Sequence, residues 1–335
     1  MESVSIGMIG CGLFGESHLQ AYRAVPMANI RAVYDMDRRR AEQAAQAFSI
    51  SRVCETLDEL ISMPDLTAID VVTPEETHLE PVLAAFRAGK HVFVEKPLAT
   101  DLAQCDQMIE AAEATARILM VGQIVRFEMK AAILKDEAAA GRLGKIVSMH
   151  ARRNRLKSLL ERYGRTHPAI ENSIHDIDLM LWYTGDRVKR VRGYDRRATG
   201  RTHADTFWGV LEFAGGAIGV IETIWLLPQQ AGILLDDAFQ LIGDSGIGNI
   251  SFFPGGLSFW RNGGFEIPDI SYDPRVRGAA LGALRDELAY FCDCVRTNRQ
   301  PSLITPREAK NAVRVALALI ESARLERDID LSGWD

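Results

Sequence analysis

The chain has 335 residues, 47% hydrophobic and 25% charged, proportions that exclude a disordered polypeptide and give room for two domains of ordinary size. Its 45 acidic and 39 basic side chains leave a net charge of −6, so there is no global attraction to nucleic acid or to an anionic membrane surface. No uncharged apolar run approaches the ~18 residues of a membrane span, no basic leader marks a secretory signal, so that the mature chain is expected to start near Met1, and five scattered cysteines fit a reducing compartment, the cytoplasm.

Residues 4–10 form a short β-like run, and Gly10-Cys11-Gly12-Leu13-Phe14-Gly15 then opens a segment that reads as helix through Tyr22. A second strand over 29–35 and a helix with Ala41, Ala44, Ala45 and Phe48 on one face complete a βαβ unit. The alternation continues with a strand over 68–73, a helix over 79–88 stopped by Gly89, and a strand over 91–94. A helix carrying Leu102, Cys105, Ile109 and Ala112 follows, and then a fifth strand over 118–121. Short apolar strands alternating with helices predict a doubly wound parallel sheet covered on both faces, a Rossmann-type α/β domain spanning 1–122.

Beyond about residue 145 the strands lengthen, at 145–155, 188–197, 205–213 and 217–226, with Gly215-Gly216 as a hairpin turn. They predict a second α/β domain over 123–335 with a largely antiparallel open sheet and one clear helix over 168–183, stopped by Gly185. The strand 217–226 places Ile218, Val220 and Ile224 on one face and Ile221 and Trp225 on the other, so helices are expected over one face and a second subunit over the other. Thr305-Pro306-Arg307-Glu308 has the spacing of a capping box, opening a helix whose stripe of Ala309, Ala312, Val313, Ala316, Leu317 and Ile320 reads as core.

The G-x-G-x-x-G run follows a strand, opens a helix and precedes Asp35 by twenty residues, the context of a dinucleotide site. Gly10 permits the tight turn, Gly12 lets backbone N–H groups approach a pyrophosphate, and Gly15 lets the helix lie close to the sheet. At the end of the second strand Asp35 can accept hydrogen bonds from the ribose hydroxyls and would repel a 2′-phosphate, which favours NAD over NADP. Arg38-Arg39-Arg40 is the opposing signal, although a basic run at a helix start is ordinarily a solvated surface and Asp37 reads as its cap.

Two further groups can do chemistry. Glu95-Lys96-Pro97 ends the fourth strand, and ligands of open parallel sheets bind outside the carboxyl ends of the strands, so the Lys96 ammonium can stabilise charge on a substrate oxygen. Glu171 and His175 are four residues apart on the predicted 168–183 helix and hence on one face, where a carboxylate orients an imidazole that accepts an alcohol proton. The competing readings are a solvated loop lysine and an exposed polar pair.

A metal site built on His175, Asp176 and Asp178 lacks third and fourth ligands, and Cys292 and Cys294 are too isolated for zinc. His18, His78, His91, His150, His167 and His203 read individually as structural or exposed. Arg152, Arg153, Asn154 and Arg155 on the first long strand either face an acidic substrate or are ordinary surface charge.

Gly10-x-Gly12-x-x-Gly15, Thr73-Pro74 with His78, Glu95-Lys96-Pro97 and His175-Asp176-Ile177-Asp178 occur in an order that resembles the glucose–fructose oxidoreductase/inositol dehydrogenase/MocA (Gfo/Idh/MocA) family. Arg126-Phe127, the turn from Gly141 to Gly144, and Pro301 leading into the 306–327 helix extend the resemblance over nearly the whole chain. It implies a Rossmann domain joined to an α/β domain whose open sheet makes homodimer or homotetramer contacts, with a sugar, polyol or inositol-like substrate.

The family's usual lysine, aspartate and histidine map to Lys96, Glu171 and His175, with glutamate where aspartate is common, so that Glu171 either orients His175 or meets a substrate hydroxyl itself. By the same resemblance the cofactor contacts fall on Gly10, Gly12, Leu13, Phe14, Gly15, Asp35, Thr73, Pro74, His78, Glu95 and Lys96. Substrate contacts fall on Lys96, Arg126, Arg153, Arg155, Glu171, Asn172 and His175, and no metal is implied. The expected activity is NAD(P)-linked oxidation of a secondary hydroxyl. The alternatives are a sugar reductase with a tightly held cofactor and a binding protein that responds to NAD(P) without turnover.

Overall fold

The structure, a computed structural model, describes residues 3–231, 233, 235–261 and 264–333. Met1 lies outside them. The first segment runs β1 (Val4–Ile9), α1 (Leu13–Tyr22), β2 (Ala28–Tyr34), α2 (Arg38–Phe48), β3 (Arg52–Val53) and α3 (Leu57–Ile61). It continues with β4 (Ala68–Val71), α4 (Leu79–Arg87), β5 (His91–Glu95), α5 (Leu102–Thr115) and β6 (Leu119–Gly122). The strands form one parallel sheet in the order β3-β2-β1-β4-β5-β6, reversing direction of growth between β1 and β4, the doubly wound arrangement expected. β4 and β5 are buried at every position and are mostly apolar, with Asp70 inside β4 and His91 and Glu95 at the ends of β5.

The next segment contributes α6 (Met129–Ala139), β7 (Ile146–Arg155), α7 (Leu160–Tyr163), α8 (Pro168–Glu171), α9 (Ile174–Thr184), β8 (Val188–Arg196), β9 (Thr206–Phe213), β10 (Ile218–Ile224), β11 (Leu235–Gly243) and β12 (Ile247–Phe253). Two short hairpins follow, β13 (Phe259–Arg261) with β14 (Gly264–Glu266) and β15 (Arg275–Val276) with β16 (Ala279–Ala280). Then come α10 (Ala283–Thr297), α11 (Pro306–Leu325) and β17 (Ile329–Asp330). The second sheet has the order β12-β11-β7-β10-β9-β8-β17, antiparallel except where β10 lies parallel to β7. Gly215-Gly216 makes the β9–β10 hairpin, with Gly216 at φ +94°, and Gly185 ends α9 at φ +59°.

The chain falls into two compact units that are discontinuous in sequence, residues 3–127 with 272–310, and 128–271 with 311–333. The first sheet ends at Gly122, yet the first unit also takes back β15, β16 and α10, a segment the sequence reading had assigned to the second domain. In the second unit α9 and the later turns of α11 cover one face of the sheet, where Gly193 N–H donates to Ser322 Oγ (3.0 Å). β9 and β10 alternate accordingly, with Phe207, Leu211 and Ile221 fully buried beneath the helices. The opposite face keeps Tyr194, Trp208 and Ile218 exposed at 48, 38 and 46%.

One expectation is corrected. The single helix over 168–183 is two helices, α8 and α9, broken at Asn172-Ser173, whose side chains are engaged elsewhere. Asn172 Nδ2 donates to the Arg153 carbonyl (3.1 Å), and Ser173 Oγ lies 2.8 Å from Thr223 Oγ1. β3 and α3 lie between the second and third expected strands, and β11, β12 and α10 stand in stretches left unassigned. The Thr305 capping box forms as read, with Glu308 N–H donating to Thr305 Oγ1 (3.2 Å) and Thr305 N–H to Glu308 Oε2 (2.9 Å).

Candidate active site

In the first unit the carboxyl ends of β1, β4 and β5 lie side by side and carry the glycine-rich turn, Thr73-Pro74 and Glu95-Lys96. Gly10 sits at φ +97°, and a Cβ there would come within 2.3 Å of the Val72 carbonyl oxygen. A Cβ on Gly15 would meet the Gly10 carbonyl oxygen at 2.2 Å, so α1 can leave the sheet at this distance only with glycine there. Gly12 differs, because a Cβ on it would meet nothing of the protein. The chain itself has no steric need for glycine at that position, which fits a backbone approached from outside.

α1 opens on Gly12 with no side-chain cap, so its first-turn N–H groups, those of Leu13 and Phe14 included, are a ready site for phosphate oxygens. Asp35, just past β2, accepts the Cys11 N–H at Oδ2 (2.7 Å) and the Asp37 N–H at Oδ1 (2.8 Å). The carboxylate is thereby fixed beside the turn with acceptor capacity left for ribose hydroxyls. The three arginines behind it are already paired: Arg38 with Glu42 (2.8 Å) and Glu55 (2.6 Å), and Arg39 and Arg40 with Asp37 (3.4 and 3.7 Å). A dinucleotide therefore fits the residues present, with Gly10, Gly12, Leu13, Phe14, Gly15 and Asp35 placed to hold it.

His78 is buried, its ring spanning the gap between the Thr73 carbonyl, 3.1 Å from Nε2, and the Pro97 carbonyl, 2.9 Å from Nδ1. Burial lowers its pKa from the ordinary histidine value, and the ring lies between the loop after β4 and the loop carrying Lys96. Lys96 itself is half-buried, its backbone N–H donating to Glu95 Oε2 (3.1 Å). The Lys96–Pro97 bond is cis. Arg126 is buried as well and donates from Nη1 to the Leu303 carbonyl (2.8 Å) and to Glu308 Oε1 (3.0 Å). These bonds tie the guanidinium to the start of α11.

In the second unit Glu171 ends α8 and His175 lies in the first turn of α9, both half-buried, with buried Asn172 between them. The one-face relation expected of them presumed an unbroken helix, and the Asn172-Ser173 break removes that basis. What fixes α9 is the next residue. Asp176 accepts from Arg153 at Nε (3.0 Å) and Nη2 (2.8 Å), a two-pronged pair, and Arg153 Nη1 donates to Asp237 Oδ2 (3.0 Å). Arg155 shares Asp237 through both of its terminal nitrogens.

Arg153 and Arg155 were expected to face substrate. The structure turns both inward instead, onto two buried carboxylates, and Asn154 hydrogen-bonds Glu222 (2.8 Å). Asp237 was not singled out in the sequence, although an Asp-Asp pair at the start of an apolar strand was the signal available for it.

Two outcomes follow from these contacts. Gly12→Val should leave thermal stability nearly unchanged while abolishing nucleotide binding, whereas Gly15→Val should lower the melting temperature, as calorimetry and titration of NAD would read. Asp237→Ala leaves two buried guanidinium groups without this acceptor and should cost about 3–5 kcal/mol in urea unfolding, because removing one partner of a buried ion pair strands the other.

Residues 4–123 match the model described as "Oxidoreductase family, NAD-binding Rossmann fold", and residues 132–248 match the "GFO/IDH/MocA C-terminal domain". Inositol 2-dehydrogenase 2 of Saccharopolyspora erythraea is 32% identical over 85% of this chain and 83% of its own. The scyllo-inositol 2-dehydrogenase (NAD(+)) of Bacillus subtilis is 28% identical over 96% and 95%. Among solved structures, scyllo-inositol dehydrogenase from Lactobacillus casei with bound cofactor NAD(H) and scyllo-inositol has the same fold, with a TM-score of 0.85 at 18% identity over 99% of this chain and 100% of that one. On its sequence and its two sheets, the chain belongs to the Gfo/Idh/MocA oxidoreductase family.

Proposed function

We propose that this protein is an NAD-linked dehydrogenase that oxidises one secondary hydroxyl of an inositol-like polyol or sugar ring to the ketone. The observation that carries the reading is Asp35, held by the Cys11 N–H at the lip of a glycine turn whose central Gly12 has no steric role within the fold. The curated names of its relatives, inositol and scyllo-inositol 2-dehydrogenases, supply the substrate class. NAD is preferred to NADP because the Asp35 carboxylate opposes a 2′-phosphate and the Arg38–Arg40 charges are balanced by Asp37, Glu42 and Glu55.

The nicotinamide, when bound, supplies the hydride acceptor. Lys96 donates a hydrogen bond to the reacting oxygen and stabilises its growing negative charge. His175 accepts the hydroxyl proton, and Glu171 and Asn172 position the imidazole or a neighbouring hydroxyl. Thr73, Pro74 and Glu95 border the cofactor at the edge of the parallel sheet, while His78 holds the Thr73 and Lys96 loops together. The five cysteines are buried and unpaired, in keeping with a reducing cytoplasm.

Purified protein incubated with NAD or NADP and a panel of inositols, aldoses and uronates should reduce NAD with at least one inositol or neutral sugar. Lys96→Ala and His175→Ala should each lower kcat by about 100-fold or more with nucleotide affinity unchanged, the loss ordinary for one acid–base or charge-stabilising group. Full turnover in both variants would remove the assignment.

The uncovered face of the second sheet, with Tyr194, Trp208, Val210 and Ile218, is the surface through which the chain forms a homodimer or homotetramer. Light scattering should give a mass at least twice that of the chain, and Trp208→Glu with Ile218→Glu should halve it. A monomer at all concentrations would contradict this.

A further inference from the structure

Beneath the carboxyl edge of the parallel sheet lies a buried charge cluster that the reaction as written above does not use. Asp70, in the middle of β4, is fully buried, and Glu95, at the end of β5, nearly so. Two carboxylates in an otherwise apolar sheet need a cation. It comes from α1, whose sheet-facing His18 is itself fully buried, with Nδ1 2.9 Å from Asp70 Oδ2 and Nε2 3.3 Å from Glu95 Oε1.

A neutral imidazole has a single N–H and would turn a lone pair toward one of these carboxylates; with Nδ1 hydrogen-bonded to Asp70, the 3.3 Å contact of Nε2 with Glu95, an ion pair without hydrogen-bond geometry, favours the doubly protonated ring. Burial works against that charge, and Asp70 and Glu95 override it, raising the His18 pKa to about 10. Tyr22 on α1 and Cys292 on α10 also neighbour Asp70, and Glu287 on α10 neighbours Tyr22, none of them cationic. The rings of Phe14 and Phe93 stand at 66° and 69° to the imidazole, centroids 5.0 and 5.8 Å from that of His18.

The second oxygen of Glu95 accepts the backbone N–H of Lys96 at 3.1 Å. The seat for this carboxylate is kept by Gly122 on the neighbouring strand, where a Cβ would stand 2.5 Å from Glu95 Oε1. We infer that His18 is a positioning residue for Lys96: as a permanent imidazolium it bridges Asp70 and Glu95, and the Glu95 carboxylate so fixed sets the backbone from which Lys96 extends. The inference rests on the reading of Lys96 as the group that meets the reacting oxygen. It assigns to a histidine outside the glycine fingerprint a role in turnover rather than in nucleotide binding.

The test has two arms. In nitrogen-15 spectra of the whole protein, His18 is identified among the seven histidines by the signal lost in His18→Gln, and it should be imidazolium at pH 8. A neutral ring at that pH overturns the inference whatever the enzyme's activity. In the kinetic arm, His18→Gln, which keeps a donor toward Glu95 without the charge, should retain about a tenth of kcat. His18→Leu should retain under about a hundredth, and KM for NAD and polyol should stay within threefold in both.

A folded His18→Gln variant with unchanged kcat, set beside an inactive Lys96→Ala, overturns the inference and leaves the reading of the reaction standing. Full turnover in Lys96→Ala overturns both, so the two failures are told apart. Should His18→Leu not fold, the Gln variant and the wild-type spectrum decide.

Discussion

The carboxylate of Asp35 does two jobs through one set of lone pairs. It accepts the Cys11 and Asp37 N–H groups, which ties the glycine-rich turn to the end of β2. By the same bonds it is fixed where we propose that a ribose lies. The conformation of the turn is otherwise set by contacts that only hydrogen in place of a Cβ permits, at Gly10 against Val72 and at Gly15 against Gly10. The glycine-rich turn and the Asp35 carboxylate proposed to hold the dinucleotide are thus one mechanical unit, and His78 joins the loops after β4 and β5.

Buried ions recur in this molecule where backbone must be held without a regular ladder. His18 with Asp70 and Glu95 does this below Lys96, and Arg153 with Asp176 and Asp237 does it below the first turn of α9, where His175 resides. Burying such pairs is a weak source of net stability compared with well-packed apolar residues. What it supplies is a fixed orientation, and each of these two clusters lies within one or two residues of a group proposed to act on substrate. Arg126 with Glu308 and the Leu303 carbonyl serves the start of α11 in the same way.

Much of the fold was legible because burial on both faces of the central parallel strands writes itself as short, mostly apolar runs. β1, β2, β4, β5 and β6 fall within one or two residues of their expected places. β3 and α3, of two and five residues, are too short for any periodicity to register. The break between α8 and α9 was hidden because apolar spacing continues across it, whereas its cause, Asn172 and Ser173 bonding to Arg153 and Thr223, depends on residues brought near only by folding. The inward turn of Arg153, Arg155 and Arg126 was illegible for the same reason: most of the acids that satisfy them lie 82 to 182 residues away in sequence. Asp70 did leave a trace, an acid inside the apolar run Ala68–Val71, and a buried acid requires a partner that the nearby helix could supply.

The account rests on direct transfer of hydrogen between a ring carbon of the substrate and a nicotinamide held by the first unit. The most direct measurement is isotopic: protein incubated with NAD and an inositol deuterated at its ring carbons, followed by mass spectrometry and proton NMR of the recovered cofactor. One deuterium at C4 of the nicotinamide for each ketone formed is the predicted result. A cofactor that binds yet returns unlabelled and oxidised, from every inositol and sugar supplied, would contradict it.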